Sequence, residues 1–256
     1  MRMQKYLIPL FFILFLWGCD NKETSTNADL TKNYVFDPAT INAIKVNSDS
    51  GKLFITHSDK AQNVQVTIKN KAPVADGCDV SASVEKDVLK LINKRKTGSK
   101  NLVSCFADFE IIVPGTIKTT NIDIGAGEIN IQNLSTNLKI NAGKVDLAIN
   151  APLKSLKIDA GTVDADIQNM LGDASLSCGF GNVNLRYNEI TTPLNLTLKG
   201  GFINSTISVP KNKRVSYKLS NASKALEIKD KVNAYNDLGL NAQIDIGSGK
   251  VEFITN

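Results

Sequence analysis

Residues 122–131 have the sequence IDIGAGEINI, and residues 138–147 have the sequence LKINAGKVDL. Both follow one ten-residue phrase, in which two alternating apolar residues precede a glycine and two more follow it. The phrase recurs at 156–165, 176–185, 196–205 and 244–253, and a variant of it occupies 44–55. Serial copies separated by loops of varying length are typical of stacked repeats, because one strand pair cannot bury its apolar face alone.

A glycine lies in the middle of every copy. These glycines are Gly51, Gly127, Gly143, Gly161, Gly181, Gly201 and Gly249. Apolar alternation predicts a short strand on each side of the glycine, but the inward residues of the two strands are an odd number of positions apart. The chain must therefore turn or bulge at the glycine, which allows a positive φ or a close backbone approach. We predict an all-β fold, a parallel β-solenoid or β-helix of short rungs that turn at glycine.

Aligning the copies on these glycines predicts which side chains stack. The inward columns then place Ile122 beside Leu138, and the outward columns place Asn130 beside Asp146. Because neighbouring rungs are about 4.8 Å apart, the outward carboxylates Asp146, Asp164 and Asp166 are expected to lie close together. These three side chains are candidate surface carboxylates. If they have a chemical role, they would supply the first oxygen ligands of a Ca²⁺ ion. We favour the simpler interpretation, a solvated ladder of Asn and Asp side chains.

Residues 34–256 are predicted to form a single β-solenoid domain. Residues 34–117 contain alternating apolar runs outside the repeat, which predict a β-meander cap and the first rungs. Residues 118–207 hold the regular rungs, and residues 208–256 hold an interruption of the period followed by the last rung. We expect caps at both ends, because an exposed end rung is an edge at which chains aggregate.

Residues 1–18 have the features of a lipoprotein signal peptide. Two basic residues precede an apolar run at 7–17, which is shorter than the roughly 20 residues that span a membrane. The run ends in LWG directly before Cys19, and this ending resembles the bacterial lipobox, which implies lipidation of Cys19. Trp17 is bulkier than the residue usual at its position, and an ordinary signal peptide with a chance cysteine is the alternative.

Residues 19–33 are predicted to be the lipidated cysteine and a flexible polar tether. The expected location is therefore the bacterial cell envelope, with the protein anchored to a membrane through its N-terminal lipid and facing the periplasm. Asp20 resembles the signal that retains enterobacterial lipoproteins at the inner membrane. That rule does not hold in all bacteria, so the outer membrane stays open.

The three remaining cysteines divide by position. Cys178 occupies an aliphatic position of the repeat, which predicts a small buried hydrophobe. Cys78 and Cys105 lie outside the repeat columns, and an oxidising periplasm would allow them to pair. They are the candidate disulfide.

Composition limits the chemistry. The chain has one histidine, His57, which excludes most His-dependent catalysis and any His-rich metal site. Residues 211–231 carry seven basic and two acidic side chains, yet export and the lack of interleaved aromatics argue against a nucleic-acid partner. We predict no catalytic residue, no metal ligand and no cofactor.

The order of these features resembles a known family. An Ile-x-Val strand near the start, then Val113-Pro114, then serial Gly-x-Ile or Gly-x-Val rungs are similar to the bacterial putative-adhesin domain family. The resemblance covers about residues 41–256. It implies a parallel β-helix-like fold and an envelope location, and it brings no catalytic motif.

Two functional hypotheses follow. The first is a non-catalytic, lipid-anchored structural or adhesin-like binding module, whose partner would be an envelope protein or a glycan. The alternative is a carbohydrate-active β-helix enzyme or glycan-binding protein that uses the outer carboxylates. A rigid stack of rungs offers a long flat face for contacts, and we therefore favour the first.

Overall fold

A computed structural model describes residues 30–70, 77–98, 105–211, 213–220, 226–230 and 239–256. In these residues the chain is all-β, with twelve strands in one mostly parallel sheet, so this part of the prediction is confirmed. The strands are β1 (Leu30–Phe36), β2 (Ala43–His57), β3 (Val64–Asn70), β4 (Cys78–Glu85), β5 (Val88–Arg95), β6 (Ala107–Val113), β7 (Thr119–Gln132), β8 (Asn137–Tyr187), β9 (Leu194–Val209), β10 (Arg214–Leu219), β11 (Leu226–Asp230) and β12 (Gly239–Thr255). A 3-10 turn lies at Pro38–Thr40. Within the ranges given, no helix has the length and apolar character needed to cross a membrane.

The centre of the molecule is a parallel stack of β2, β7, β8, β9 and β12, in that order. We call one pass of the chain through this stack a rung. Side chains alternate between the interior and solvent, so that Ile122 pairs with Ile140 and Ile129 pairs with Leu147, all of them buried. Burial of these aliphatic columns is the main stabilising term, at about 25 cal/mol for each Å² removed from water.

Strand β8 supplies three consecutive rungs because it coils back on itself. Gly161 lies directly against the backbone of Gly143, and Gly179 lies against Gly161, each step being 18 residues along the chain. The side chains confirm the same step, since Ser155 Oγ donates to Asn137 Oδ1 at 2.9 Å. The regular period of the stack is therefore 18 residues.

Every rung bends at one corner, where two consecutive residues face solvent. The residues at this position, which we call the corner column, are Asp49, Gly125, Gly143, Gly161, Gly179, Gly201 and Gly247. A Cβ on Gly143 would lie 2.5 Å from the carbonyl oxygen of Gly125, and one on Gly161 would lie 2.6 Å from that of Gly143. Since no side chain fits that close, glycine is required by the approach of the rung below rather than by its φ angle.

The seven predicted turn glycines fall into two columns. Gly143, Gly161 and Gly201 lie in the corner column. Gly51, Gly127, Gly181 and Gly249 lie two residues further along, in a column that faces inward. In this second column Gly51 and Gly249 have φ values of +139° and +124°, where L side chains are strained.

The same two-residue shift corrects the predicted stacking. Ile122 pairs with Ile140 and not with Leu138, which instead lies beside Thr120. The prediction is wrong here because side chains alternate with a period of two, so a shift of two residues leaves every apolar side chain on the same face. Several copies contain two glycines in a Gly-x-Gly pair, and the corner lies at the first of them.

Beyond β2 the N-terminal end divides into two arms. The first half of β2 pairs with β5, which continues antiparallel to β4. The second half pairs with β6, which continues through β3 to β1, both antiparallel. Cys78, at the start of β4, is joined to Cys105, which precedes β6, by a disulfide with an S–S distance of 1.99 Å. The buried Asn93 Nδ2 donates to the carbonyl oxygens of Ser50 and Cys105 at 2.8 and 3.2 Å, and thereby fastens the two arms beside the corner.

Strand β1 begins inside the predicted tether. Residues 30–33 are its first four residues and pair antiparallel with β3, so the tether prediction is wrong for them. The reason is that this edge strand turns apolar only at Tyr34 and Phe36, whose rings pack against the core. The predicted signal peptide, Cys19 and the rest of the tether lie outside the described residues.

At the C-terminal end, chain order and stacking order differ. Strand β12 lies between β9 and the two strands that precede it in the chain. Its first half pairs with β10 and its second half with β11, so the last rung is made of two separate strands. The interior-facing Tyr217 and Leu219 of β10 are 42% and 43% exposed because no rung covers them within the described chain.

The close approach at the corner predicts a sharp contrast between two neighbouring substitutions. Gly143→Val should lower the free energy of unfolding by about 3 kcal/mol or more, because its Cβ overlaps the carbonyl oxygen of Gly125. Lys144→Val, at the next exposed position, should change it by less than about 0.5 kcal/mol. Equilibrium urea unfolding measures both, and equal losses would show that the corner tolerates a side chain.

Candidate functional site

The three predicted surface carboxylates lie together on the flat outer wall that follows the corner. Asp146 and Asp164 occupy one outward column on successive rungs, and Asp166 lies in the next column. Glu128, which the sequence did not predict for this group, pairs with Asp146 and extends the column. Asn130 was expected beside Asp146, but the two-residue shift places it beside Ala148. The wall therefore carries an acidic group of four exposed side chains.

These carboxylates surround a shallow, open depression above Ala148. One end of the group is neutralised, since Lys52 Nζ lies 2.7 Å from Glu128 Oε2, and this hydrogen bond raises the pKa of Lys52. Farther along the column, stacked like charges oppose each other across the rungs and destabilise the stack slightly. In the part of the chain that the structure describes, no group of three or more His, Cys, Asp or Glu side chains is arranged to hold a metal ion.

Asparagine side chains do form a ladder, but along a different edge of the stack. Asn188 Nδ2 donates to Asn169 Oδ1, and Asn169 Nδ2 donates to Asn150 Oδ1. Asn169 has a φ of +65°, in the left-handed region that Asn tolerates better than most residues. This ladder secures the bends of successive rungs, and so its role is structural.

Two exposed phenylalanines lie side by side at the corner. Phe180, in the third rung of β8, pairs in register with Phe202 of β9, and the two side chains are 65% and 41% exposed. They belong to the column that directly follows the corner column, which we call the rim. The rim consists of Ser50, Ala126, Lys144, Thr162, Phe180, Phe202 and Ser248. The sequence signal for the pair is an aromatic residue directly after the corner glycine in two successive rungs.

The surroundings of the two rings are open on one side and polar on the other. Gly179 and Gly201 precede the rings and leave no side chain beside them. Asn182 and Asn204 follow on the same outward wall, where Asn204 Nδ2 donates to Asn182 Oδ1 at 3.4 Å. The backbone N–H of Lys250 donates to Asn204 Oδ1 at 3.2 Å, so this amide is held in place. Apolar surface next to oriented polar groups is typical of ligand contacts.

The remaining residues discussed in the sequence analysis make contacts that indicate structural roles. Cys178 is 5% exposed in the interior, and burial raises the pKa of its thiol. His57 Nε2 lies 2.8 Å from Asp59 Oδ1, where β2 ends in a turn. In the basic segment, Lys229 pairs with Glu227 at 3.0 Å. Other lysines of this segment, at 224 and 231, lie outside the described residues.

Comparison with known proteins identifies one family and several similar folds. Residues 107–243, just over half of the chain, match the model of a family described as Toastrack DUF4097. No curated protein matches the chain.

The similar solved structures include three bacterial proteins described as follows. A putative adhesin from Bacteroides fragilis is 12% identical, with 88% of this chain and 96% of that chain covered and a TM-score of 0.46. A putative lipid binding protein from Parabacteroides distasonis is 15% identical, with 90% and 98% covered and a TM-score of 0.43. A putative cell adhesion protein from Clostridium sporogenes is 12% identical, with 89% and 100% covered and a TM-score of 0.41.

The acidic column predicts that removal of a charge stabilises the fold. Asp146 is the central carboxylate of three on neighbouring rungs, so Asp146→Asn should raise the free energy of unfolding by about 0.5 kcal/mol in low salt. The gain should shrink in 1 M salt, because screening weakens interactions between exposed charges. Urea unfolding at both salt concentrations measures it. A rise in melting temperature with Ca²⁺ that Asp146→Asn abolishes would instead show that the column binds a cation.

Proposed function

The chain belongs to the Toastrack DUF4097 family, and from this membership and its surface we propose that it is a non-catalytic binding module of the bacterial cell envelope. A lipid on Cys19 would hold it to a membrane on the periplasmic side. The partner would be an envelope protein or a glycan that contacts the outer wall or the rim.

The exposed Phe180–Phe202 pair carries the proposal. The rungs beneath it are fixed by continuous parallel pairing and a fully buried interior, so the pair is presented on a rigid support. Rigid elements lose little conformational freedom when they bind, which favours affinity. Two large apolar side chains at adjacent exposed positions do not pack in the interior. Contact with a partner would bury them, and this accounts for their presence on the surface.

The carboxylate group supports contact more than catalysis. Asp146 and Asp164 are about 4.8 Å apart along the stack, a spacing near the roughly 5 Å found between the two carboxyls of retaining glycosidases. A glycosidase also needs one carboxyl with a pKa raised by an apolar or enclosed setting. Both side chains here are exposed on an open wall, which is the wrong setting for a general acid.

The lipid anchor is supported by the N-terminal sequence, and the position of β1 in the sheet is compatible with it. The ten residues 20–29 separate Cys19 from β1, a contour length of at most about 35 Å. Strand β1 lies at the N-terminal end of the stack. The rung that carries Phe180 is four steps beyond β2, or about 19 Å, and so the two phenylalanines would lie beyond the rungs nearest the anchored end of the chain.

Anchoring predicts a labelled, membrane-bound protein in the native bacterium. In cells grown with radioactive palmitate, the wild-type chain should carry label and sediment with membranes, because acylation of Cys19 provides the anchor. Cys19→Ala should lose the label, whereas Cys178→Ala should keep it. Unlabelled wild-type protein, or label that persists in Cys19→Ala, would refute lipidation at this residue.

Binding without turnover predicts a second result. Detergent-solubilised protein, incubated with detergent-insoluble envelope fragments, should co-sediment with them saturably and release no reducing sugar. Asp146→Asn/Asp164→Asn should behave like the wild type in both measurements. Sugar release that this double variant abolishes would establish the carbohydrate-active alternative, and absence of both binding and release would overturn the proposed function.

A further inference from the structure

We propose that Phe180 and Phe202 form an aromatic platform on which a neutral glycan chain binds. This inference rests on the proposed function, for which it supplies the binding site and the class of partner. It is carried by the exposure and register of the two rings, by the glycines before them and by the amides after them.

The rim does not require aromatic residues for folding. At equivalent positions of other rungs it holds Lys144, Thr162 and Ser248, all of which are polar. Phe180 and Phe202 leave 65% and 41% of their surfaces in water at this solvent-facing position. Full burial of a phenylalanine side chain raises the binding affinity by about 10- to 100-fold, and so a ligand that covers both rings binds substantially more tightly.

The corner glycines give a ligand access to the rings. Gly179 and Gly201 are exposed and stack directly on each other, with the Cβ position of Gly201 only 2.8 Å from the carbonyl oxygen of Gly179. No side chain therefore rises beside the rings on this side. The two residues are Cα partners on neighbouring rungs, whose backbones are about 4.8 Å apart, and a chain of flat units that runs along the stack can place successive units over the two side chains.

The polar groups near the rings match the edges of sugar rings. Asn182 and Asn204 lie two residues beyond the phenylalanines on the same wall, about 7 Å away along the strand. Each amide carries donors and an acceptor, and Asn204 is held by Asn182 and by the backbone of Lys250. A pyranose has an apolar face that stacks on an aromatic ring and hydroxyl groups at its edge, and this combination matches a platform bordered by amides.

Charge and area argue against other partners. Lys250 is paired with Glu252 at 2.7 Å, and Asp164 lies in the same outward column as Asn182 and Asn204, so the wall beside the rings offers no run of unpaired cations for an acidic polymer. The apolar surface exposed by the two rings amounts to about 200 Å². A stable protein interface covers roughly 800 Å² on each partner around an apolar core, which the rest of the rim does not supply, because it is polar except for the small Ala126.

The test uses the purified full chain in detergent on a printed array of neutral oligosaccharides. Glycans that bind are then titrated by affinity electrophoresis in gels containing the matching neutral polysaccharide. We expect the wild type to bind at least one neutral glycan, and Phe180→Ser/Phe202→Ser to weaken that binding by about tenfold or more. Leu171→Ser removes another exposed apolar side chain, away from the rim, and should bind like the wild type.

Two further variants separate stacking from general apolarity. Phe180→Trp/Phe202→Trp should retain binding because it keeps the aromatic faces, whereas Phe180→Leu/Phe202→Leu should lose most of it. Thermal unfolding of each variant should match the wild type, since the replaced side chains are exposed.

The inference is overturned if no neutral glycan on the array binds, or if the double serine variant binds as well as the wild type. It is also overturned if binding to envelope fragments depends on the two phenylalanines but is destroyed by protease and survives periodate, since the partner is then a protein. Envelope binding that persists in the double serine variant defeats this site alone and leaves the proposed function standing.

Discussion

The fold depends on the contact between a corner glycine and the carbonyl oxygen of the rung below it. At Gly143 and Gly161 that oxygen is 2.5–2.6 Å from where a Cβ would be, so a side chain there would push the rungs apart. With the corner closed in this way, strands on both sides keep their parallel pairing, and the aliphatic columns meet in the interior. Both walls of the stack, and everything displayed on them, follow from this repeated contact.

Much of this architecture is predictable from the sequence, because burial imposes a pattern. The alternation in residues 122–131 and 138–147 indicates strands with one apolar face, and their repetition indicates stacking. The register is less predictable. A Gly-x-Gly pair such as Gly125 and Gly127 offers two positions for the corner, and both keep the apolar residues inside. Contacts between rungs decide between them, and a single sequence does not contain those contacts.

The ends of the stack were harder to predict because they break the repeat. The two N-terminal arms are antiparallel extensions, and the disulfide between Cys78 and Cys105 lies where they separate. At the other end β12 inserts between β9 and the pair β10 and β11, an order that differs from chain order. In both regions non-local pairing, rather than a local pattern, determines which strands are neighbours.

The register error also concealed the surface features that bear on function. Alignment on Gly181 and Gly201 places Phe180 before the turn and Phe202 after it, so the two rings appear unrelated. The true corner lies at Gly179 and Gly201, which makes the phenylalanines direct neighbours. The same correction moves Glu128 beside Asp146. Inward positions tolerate a shift of two residues because aliphatic side chains are nearly interchangeable there. Outward positions do not tolerate such a shift, because the chemistry of the surface depends on which individual side chains are neighbours. Functional surfaces of such stacks are therefore the part of the structure most sensitive to register.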